Sequence, residues 1–349
     1  MALASIDKQY LLDFLTGLLN TPSPTGYTQE AIAYIEKALE AFPNLLYKRT
    51  LKGALLATWA GKNTSDSRAI AVHIDTLGAM VKQIKLNGRL MLTKIGGYDW
   101  NTVEGEGCTI FTQDGEQVRG SLLIDKASSH VYGKKLGDTP RDDEHMEVRL
   151  DARTSNPDDT RELGIEVGDF VVFDPRVELS DGFIRSRHLD DKACVACLLT
   201  AVKAIYDAGL EPARTAYLYF SNYEEVGHGG ASGIPVDSTE MLVVDMAAVG
   251  EGQTSDEFHA TLCVKDSGGP YHFELNKRLR ELAKEHDIPF VVDIYPYYGS
   301  DGTAQWRAGG DLAVALIGPG VDASHNYERT HMDALEATTK WIIAYLLTP

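Results

Sequence analysis

Five short polar groups in this 349-residue chain carry residue types that can do chemistry together: His73-Ile-Asp75, Asp190-Asp191, Glu224-Glu225, Asp245 and His325. Each follows an apolar, strand-like run or stands on a turn. Alone, a histidine on a strand is ordinary core or surface, and a glutamate pair is an ordinary solvated edge. Their recurrence at strand ends is the informative feature, because strand ends of one sheet bring side chains distant in sequence together. Mixed imidazole and carboxylate donors suit zinc, cobalt or manganese, whereas all-oxygen cages suit calcium and magnesium. Two such ions roughly 3.5–4 Å apart, sharing a carboxylate, bring the pKa of a bound water toward neutrality. Splitting an amide with that water also needs a carboxylate base beside it. Neighbouring side chains of an extended segment point apart, so Glu224 and Glu225 divide the work, one ligating and the other taking the proton.

The elements that must position these groups follow from the apolar pattern. Leu11, Leu12, Phe14, Leu15, Leu18 and Leu19 fall at helical spacing, and Thr28 opens a second amphipathic helix through about Leu39,. Ala69-Ile-Ala-Val-His-Ile-Asp reads as a buried strand whose C-terminal end meets a site,. From about 78 to 178 the texture changes to short alternating stretches broken by Gly, Asn and Asp, the signature of a small all-β module,. One helical piece is expected near Asp158 to Leu163, and an exposed loop over 129–146. Helix–strand alternation then returns: helix over Lys192–Ala208, strands over Arg214–Ser221 and Met241–Met246, a helix over Tyr271–Asp287, strands near Phe290 and Ala313, and a closing helix over Ala334–Leu347. The predicted fold is α/β, a mixed sheet with helices on both faces, interrupted by the inserted β module. The predicted division is residues 1–77 and 179–349 as a catalytic domain in two parts, with 78–178 inserted.

Composition narrows the partners. Apolar residues make up 44% and charged residues 24%, as in ordinary globular proteins, and the net charge is −18,. So acidic a surface disfavours nucleic acid and anionic membranes. The N-terminal stretch lacks the basic region and apolar run of a signal peptide. Four scattered cysteines make no disulfide scaffold, and a cytoplasmic location is expected,.

The matching stretches His73-Ile-Asp75-Thr-Leu-Gly78, His188-Leu-Asp190-Asp191-Lys, Glu224-Glu225-Val-Gly227-His-Gly-Gly230-Ala231, Val243-Val-Asp245 and Ser324-His325-Asn-Tyr-Glu328 appear in order across nearly the whole chain. Together they resemble the glutamyl/deblocking aminopeptidase family of dinuclear metallopeptidases, whose members build tetrahedral dodecamers. The resemblance implies a zinc-exopeptidase-like α/β domain with an inserted, PDZ-like oligomerisation domain. It implies that His73 and Asp245 bind one metal, Glu225 and His325 the other, and that Asp190, the first of its pair, bridges both. Glu224 is then the general base, and Asp75 orients His73. The implied cofactors are two divalent ions, zinc foremost, with cobalt or manganese as alternatives. The implied partners are short peptides or small amides and further copies of the chain, as a dimer-built dodecamer with active sites facing an internal cavity.

The chain also departs from the family pattern. Thr76 stands where an acidic residue is usual, and Gly229 where a basic one is common. Gly299-Ser300-Asp301 resembles a Gly-Thr-Asp turn. The last ligand segment reads His325-Asn-Tyr-Glu-Arg-Thr-His331 rather than His-Ser-Pro, which makes His331 a rival of His325. That segment resembles a branch of the family associated with genes for a blocked-dipeptide osmoprotectant.

Other features take plainer readings. Cys194-Val-Ala-Cys197 lies inside an apolar helix and reads as two buried thiols, and the glycines at 227, 229 and 230 lack the residues of a phosphate cradle,. Those glycines read instead as a close backbone approach to the metals. The leading function is therefore hydrolysis of an N-terminal peptide bond, and the second is an amidase or deacylase for a blocked dipeptide using the same metals. A glycosidase would need Glu224 and Glu225 to face one another across a sugar bond at roughly 5–9 Å, which neighbouring residues do not do. A non-catalytic assembly protein leaves the ligand set without a reason to coexist.

Overall fold

The computed structural model describes residues 3–349. Two helices open the chain, α1 (Lys8–Leu19) and α2 (Gln29–Leu39). The Asp7 carboxylate caps α1 by accepting from the Tyr10 amide at 3.0 Å,. Thr28 precedes α2, but its hydroxyl does not cap it; it accepts from Asn222 Nδ2 at 3.4 Å. Strands β1 (Leu45–Arg49), β2 (Leu55–Trp59) and β3 (Asn63–His73) follow.

Six strands come next: β4 (Gly78–Ile84), β5 (Leu90–Ile95), β6 (Gly107–Phe111), β7 (Gln117–Ile124), β8 (Met146–Leu150) and β9 (Phe170–Phe173). They close into a barrel in the order β4-β5-β8-β7-β6-β9. Alternate residues such as Gly120, Leu122 and Ile124 of β7 are buried while their neighbours are partly exposed, as a one-sided strand requires,. The span expected to be an exposed loop carries two one-turn helices, α3 (Ser129–Tyr132) and α4 (Lys135–Asp138), with no buried residue. Helix α5 (Pro157–Arg161) is capped by Asn156.

The rest comprises β10 (Glu178–Ser180), β11 (Phe183–Ser186), α6 (Leu189–Asp207), β12 (Arg214–Ser221), β13 (Ser238–Val244), β14 (Ala247–Val249), β15 (Ala260–Asp266), β16 (Gly269–Pro270), α7 (Phe273–Glu285), β17 (Phe290–Ile294), α8 (Asp301–Arg307), β18 (Ala313–Asp322), β19 (Glu328–His331) and α9 (Met332–Leu347). The large sheet runs β1-β2-β12-β3-β13-β18-β19-β11-β10, with β14 to β17 attached beside β18. At its centre β12, β3, β13 and β18 are mutually parallel. Ile70, Val72, Leu218, Phe220, Leu242 and Val244 share a core with α1, α6 and α9. The alternate residues Ala69, Ala71, Tyr219, Met241 and Val243 form a second core on the opposite face, where α8 packs. Both faces are covered, as near-continuous apolar strands demand.

The chain divides into two compact units, one running up to Asp75 and resuming at Arg176–Pro349, the other Thr76–Pro175. The sequence texture puts the insertion at 78–178, because alternation becomes visible only once β4 begins. Leu77 already packs in the barrel core.

Candidate metal centre

Every candidate residue belongs to the first unit. His73 ends β3, Asp245 directly follows β13, and these strands pair in parallel, so both side chains emerge at one end of the sheet. Asp190 lies in the first turn of α6, where the backbone is not yet helical and the Asp190–Asp191 peptide bond is cis. Glu224 and Glu225 are not in an extended segment. They form a single 3₁₀ turn after β12, because Gly227 in the left-handed region (φ 83°) bonds its amide back to the Glu224 carbonyl,. His325 stands in the turn between β18 and β19.

These positions converge. One donor atom from each of His73, Asp190 and Asp245 lies within 4.8 Å of the others, and the same holds for Asp190, Glu225 and His325. Asp190 is common to both groups and splits its carboxylate between them. Its Oδ1 is 3.0 Å from His73 Nε2, and its Oδ2 is 3.4 Å from His325 Nε2. Glu225 Oε2 is 3.5 Å from the same His325 nitrogen. Glu224 stands in neither group, with Oε2 3.9 Å from His73 Nε2. His331, the rival, is in neither group: it packs against Phe183 and Phe258 and caps α9 by accepting from the Asp333 amide.

The M42 glutamyl aminopeptidase profile matches residues 53–341, which include all of these positions. The chain belongs to that family. It is 49% identical over 339 residues to YhfE of Bacillus subtilis (strain 168), covering 97% of each chain. It is 24% identical over 245 residues to a lysyl aminopeptidase of Pyrococcus furiosus, covering 67% of each. Among solved structures, a TET aminopeptidase from a marine-sediment Thaumarchaeota archaeon superposes with a TM-score of 0.87 at 18% identity, covering 97% of this chain and 96% of that one. Pyrococcus horikoshii TET1, a peptidase that can assemble into a tetrahedron or a large octahedral shell, does so at 0.84 and 21% identity, covering 97% and 100%. The protein is thus a metallo-aminopeptidase of the M42 family with the TET-type fold.

The donor chemistry of this M42 member fits divalent ions. Burial pushes Glu225 up to about 8 and Asp245 up to about 7, with Asp190 adding to both. Burial likewise holds Glu224 well above the carboxylate range. Asp190 would rise for the same reason, but His325 and His73 beside it hold it well below. Burial opposes the charge on His73, yet Asp190, Glu224, Asp191 and Asp245 together keep it well above its ordinary value. Asp245 Oδ1 is buried without a hydrogen-bond partner. Crowded, buried carboxylates need positive charge among them to stay ionised together. Lys52 donates instead to the His228 and Gly229 carbonyls, and Lys192 to the Thr21 carbonyl.

Surrounding contacts revise two expectations. The group that meets His73 Nδ1 is the Asp75 backbone carbonyl, at 2.9 Å, while the carboxylate lies 3.7 Å away. A carbonyl only accepts, so it fixes the proton on Nδ1 and leaves Nε2 facing Asp190. β3 ends at His73, so Asp75 has left the pleat and its carboxylate turns elsewhere. It accepts from the amides of Glu224 (3.1 Å) and Glu225 (3.3 Å) and from Thr25 Oγ1 (2.7 Å). The glycines after this turn approach α8 rather than the ligand atoms: a Cβ on Gly229 would collide with Ser221 Oγ and Asp301 Oδ1.

The roles of two further residues, Asp191 and Glu328, escaped the sequence reading. Asp191 accepts from the His73 amide at 3.1 Å through Oδ2. Glu328, fully buried, accepts from the Asp190 amide through Oε2 and from the His325 amide through Oε1, both at 3.0 Å. The available signal was its place in β19, where Glu328 and Thr330 point inward while Arg329 lies on the other face.

Proposed function

We propose that this M42 member hydrolyses the N-terminal peptide bond of short peptides at a two-ion centre, with zinc foremost and cobalt or manganese as alternatives. His73 and Asp245 would hold one ion, Glu225 and His325 the other, with Asp190 shared. Two such ions polarise the scissile carbonyl and lower the pKa of the attacking water. Glu224, outside both ligand groups, would accept the proton of that water at Oε2 and pass it to the departing amine nitrogen. Asp75 would hold base and ligand in register through the Glu224 and Glu225 amides.

The observation that carries the reading is the split of the Asp190 carboxylate between two histidines, each with a further carboxylate beside it. Preference for a free amine rests on charge. Carboxylates crowd the centre, and Glu224 stands outside both ligand groups, so a protonated substrate amine would meet a favourable field there,.

The barrel contributes no candidate ligand, so subunit contact is its proposed task, in a PDZ-like role. TET-type assembly supports a closed dodecamer that admits only short peptides. A reducing cytoplasm suits four buried cysteines without a disulfide; no helix among the described residues is long and apolar enough to cross a membrane. The test is metal content per chain alongside hydrolysis of free and N-acylated dipeptides with added zinc, cobalt or manganese. Two ions and cleavage of free-amine substrates support the proposal. Cleavage of blocked substrates alone moves it to the amidase reading, and absence of bound metal under all conditions sinks both.

A further inference from the structure

The two halves of the centre are anchored differently, and Glu328 is where the difference concentrates. His73 and Asp245 stand at the ends of paired strands, whereas His325 stands in a turn with two non-glycine residues in the left-handed region, Ala323 at φ 57° and His325 itself at φ 63°. An L-residue persists there only when its surroundings over-determine it. The His325 ring is 38% exposed, so core packing alone does not fix it. Tyr327 ties the turn down by donating to the Arg176 carbonyl at 3.0 Å, but it lies two residues beyond the ligand. At the ligand itself Glu328 takes hold, its two oxygens accepting from the amides of His325 and Asp190.

We propose that Glu328 is a positioning residue for the second ion: by clamping the His325 amide to the Asp190 amide, it decides whether the Asp190–Glu225–His325 position is preformed. This rests on the two-ion reading above. A carboxylate suits the task because it offers acceptors only, one oxygen for each N–H. An amide in its place presents NH₂ to one of those N–H groups, and an aspartate is one methylene too short to reach both. His73 and Asp245 keep their strand anchors in either case, and the His73 amide keeps Asp191, so the first ion loses only the hold on the Asp190 amide while the second loses the holds on both Asp190 and His325.

The test is zinc titration of metal-free, full-length wild type, Glu328→Gln and Glu328→Asp against a chromophoric chelator. Ions per chain are counted by mass spectrometry, and the melting temperature of each metal-free protein is recorded. Wild type is expected to bind two ions. Glu328→Gln should keep the tighter one and bind the other roughly 10–100-fold more weakly, with Glu328→Asp between them. Wild-type affinity for the second ion in both variants overturns the inference. So does equal weakening of both ions, which marks general loosening of the fold. If Glu328→Gln does not fold, Glu328→Asp keeps the charge and carries the same decision. A wild type that binds fewer than two ions instead removes the two-ion reading itself, a result separable from the other two.

Discussion

In the His73–Asp245 half of the candidate centre paired strands set the positions, with Asp191 adding a hold on the His73 amide; the Glu225–His325 half stands on turns and leans on buried carboxylates. In the first half, parallel ladders between β3, β12 and β13 set both candidate ligand positions. In the second half the candidate ligands ride on turns, and carboxylates reach in to hold their amides: Asp75 for Glu225, Glu328 for His325. A ladder shares its constraint over many hydrogen bonds, while a carboxylate clamp concentrates it in one residue. Buried polar networks of the second kind are strong when complete and fail sharply when one member goes. The loop half can therefore be tuned by single substitutions that leave the fold intact, and the sheet half cannot.

The largest expected effect erases the comparison altogether. Asp190→Ala removes the group shared by both halves, so both ions should be lost and kcat/KM should fall by at least about four orders of magnitude; elemental analysis with dipeptide kinetics checks it. Glu224→Gln should cut kcat by about two to four orders while metal content stays near that of wild type, since this residue belongs to neither half. Retained activity there would undo the base assignment. The comparison itself is sharpened by graded chelation: one ion per chain should leave at roughly 10–100-fold lower chelator concentration than the other. His325→Ala should abolish the weaker site and leave the tighter one, and simultaneous loss of both ions would erase the asymmetry. The smallest effect is that of Thr25→Val, which removes one hydrogen bond to the Asp75 carboxylate. It should lower stability by about 1.5–3 kcal/mol in thermal unfolding, with the ion count unchanged.

Legibility in the sequence follows the same division. His73 and Asp245 stand out because an apolar run ends in a polar residue, and a strand end is a place the sequence can point to. The mixed sheet and the inserted β unit are legible for the same reason, in the switch between helical and alternating periodicity. The turn halves are less so. His331 rivals His325 in the sequence, where only the distance from Pro319-Gly320 favours His325; in the structure His331 is spent on capping α9 and His325 stands in the β18–β19 turn beside Asp190. Asp190 and Asp191 differ by one peptide, and which carboxylate faces the histidines depends on backbone angles that no pattern encodes. Asp75 is legible as a site residue but not as a clamp, because its carbonyl and its carboxylate serve different partners. Glu328 is hidden among the alternating residues of a four-residue strand.

One feature of the fold bears on how the chain is made. β3 lies between β12 and β13, so the strand ending in His73 emerges from the ribosome well before its neighbours at 214–221 and 238–244 exist. At roughly 5–20 residues per second, the wait from residue 73 to residue 214 is on the order of 7–30 s. The barrel strands pair only with one another and can close during that interval. Until then the apolar faces of α1, α2 and β3 have only the β1–β2 hairpin of the large sheet to cover them. Nascent chains of this protein should therefore engage a trigger-type chaperone after β3 is exposed and let go once β13 is complete, a window that ribosome profiling of chaperone-bound chains would read directly.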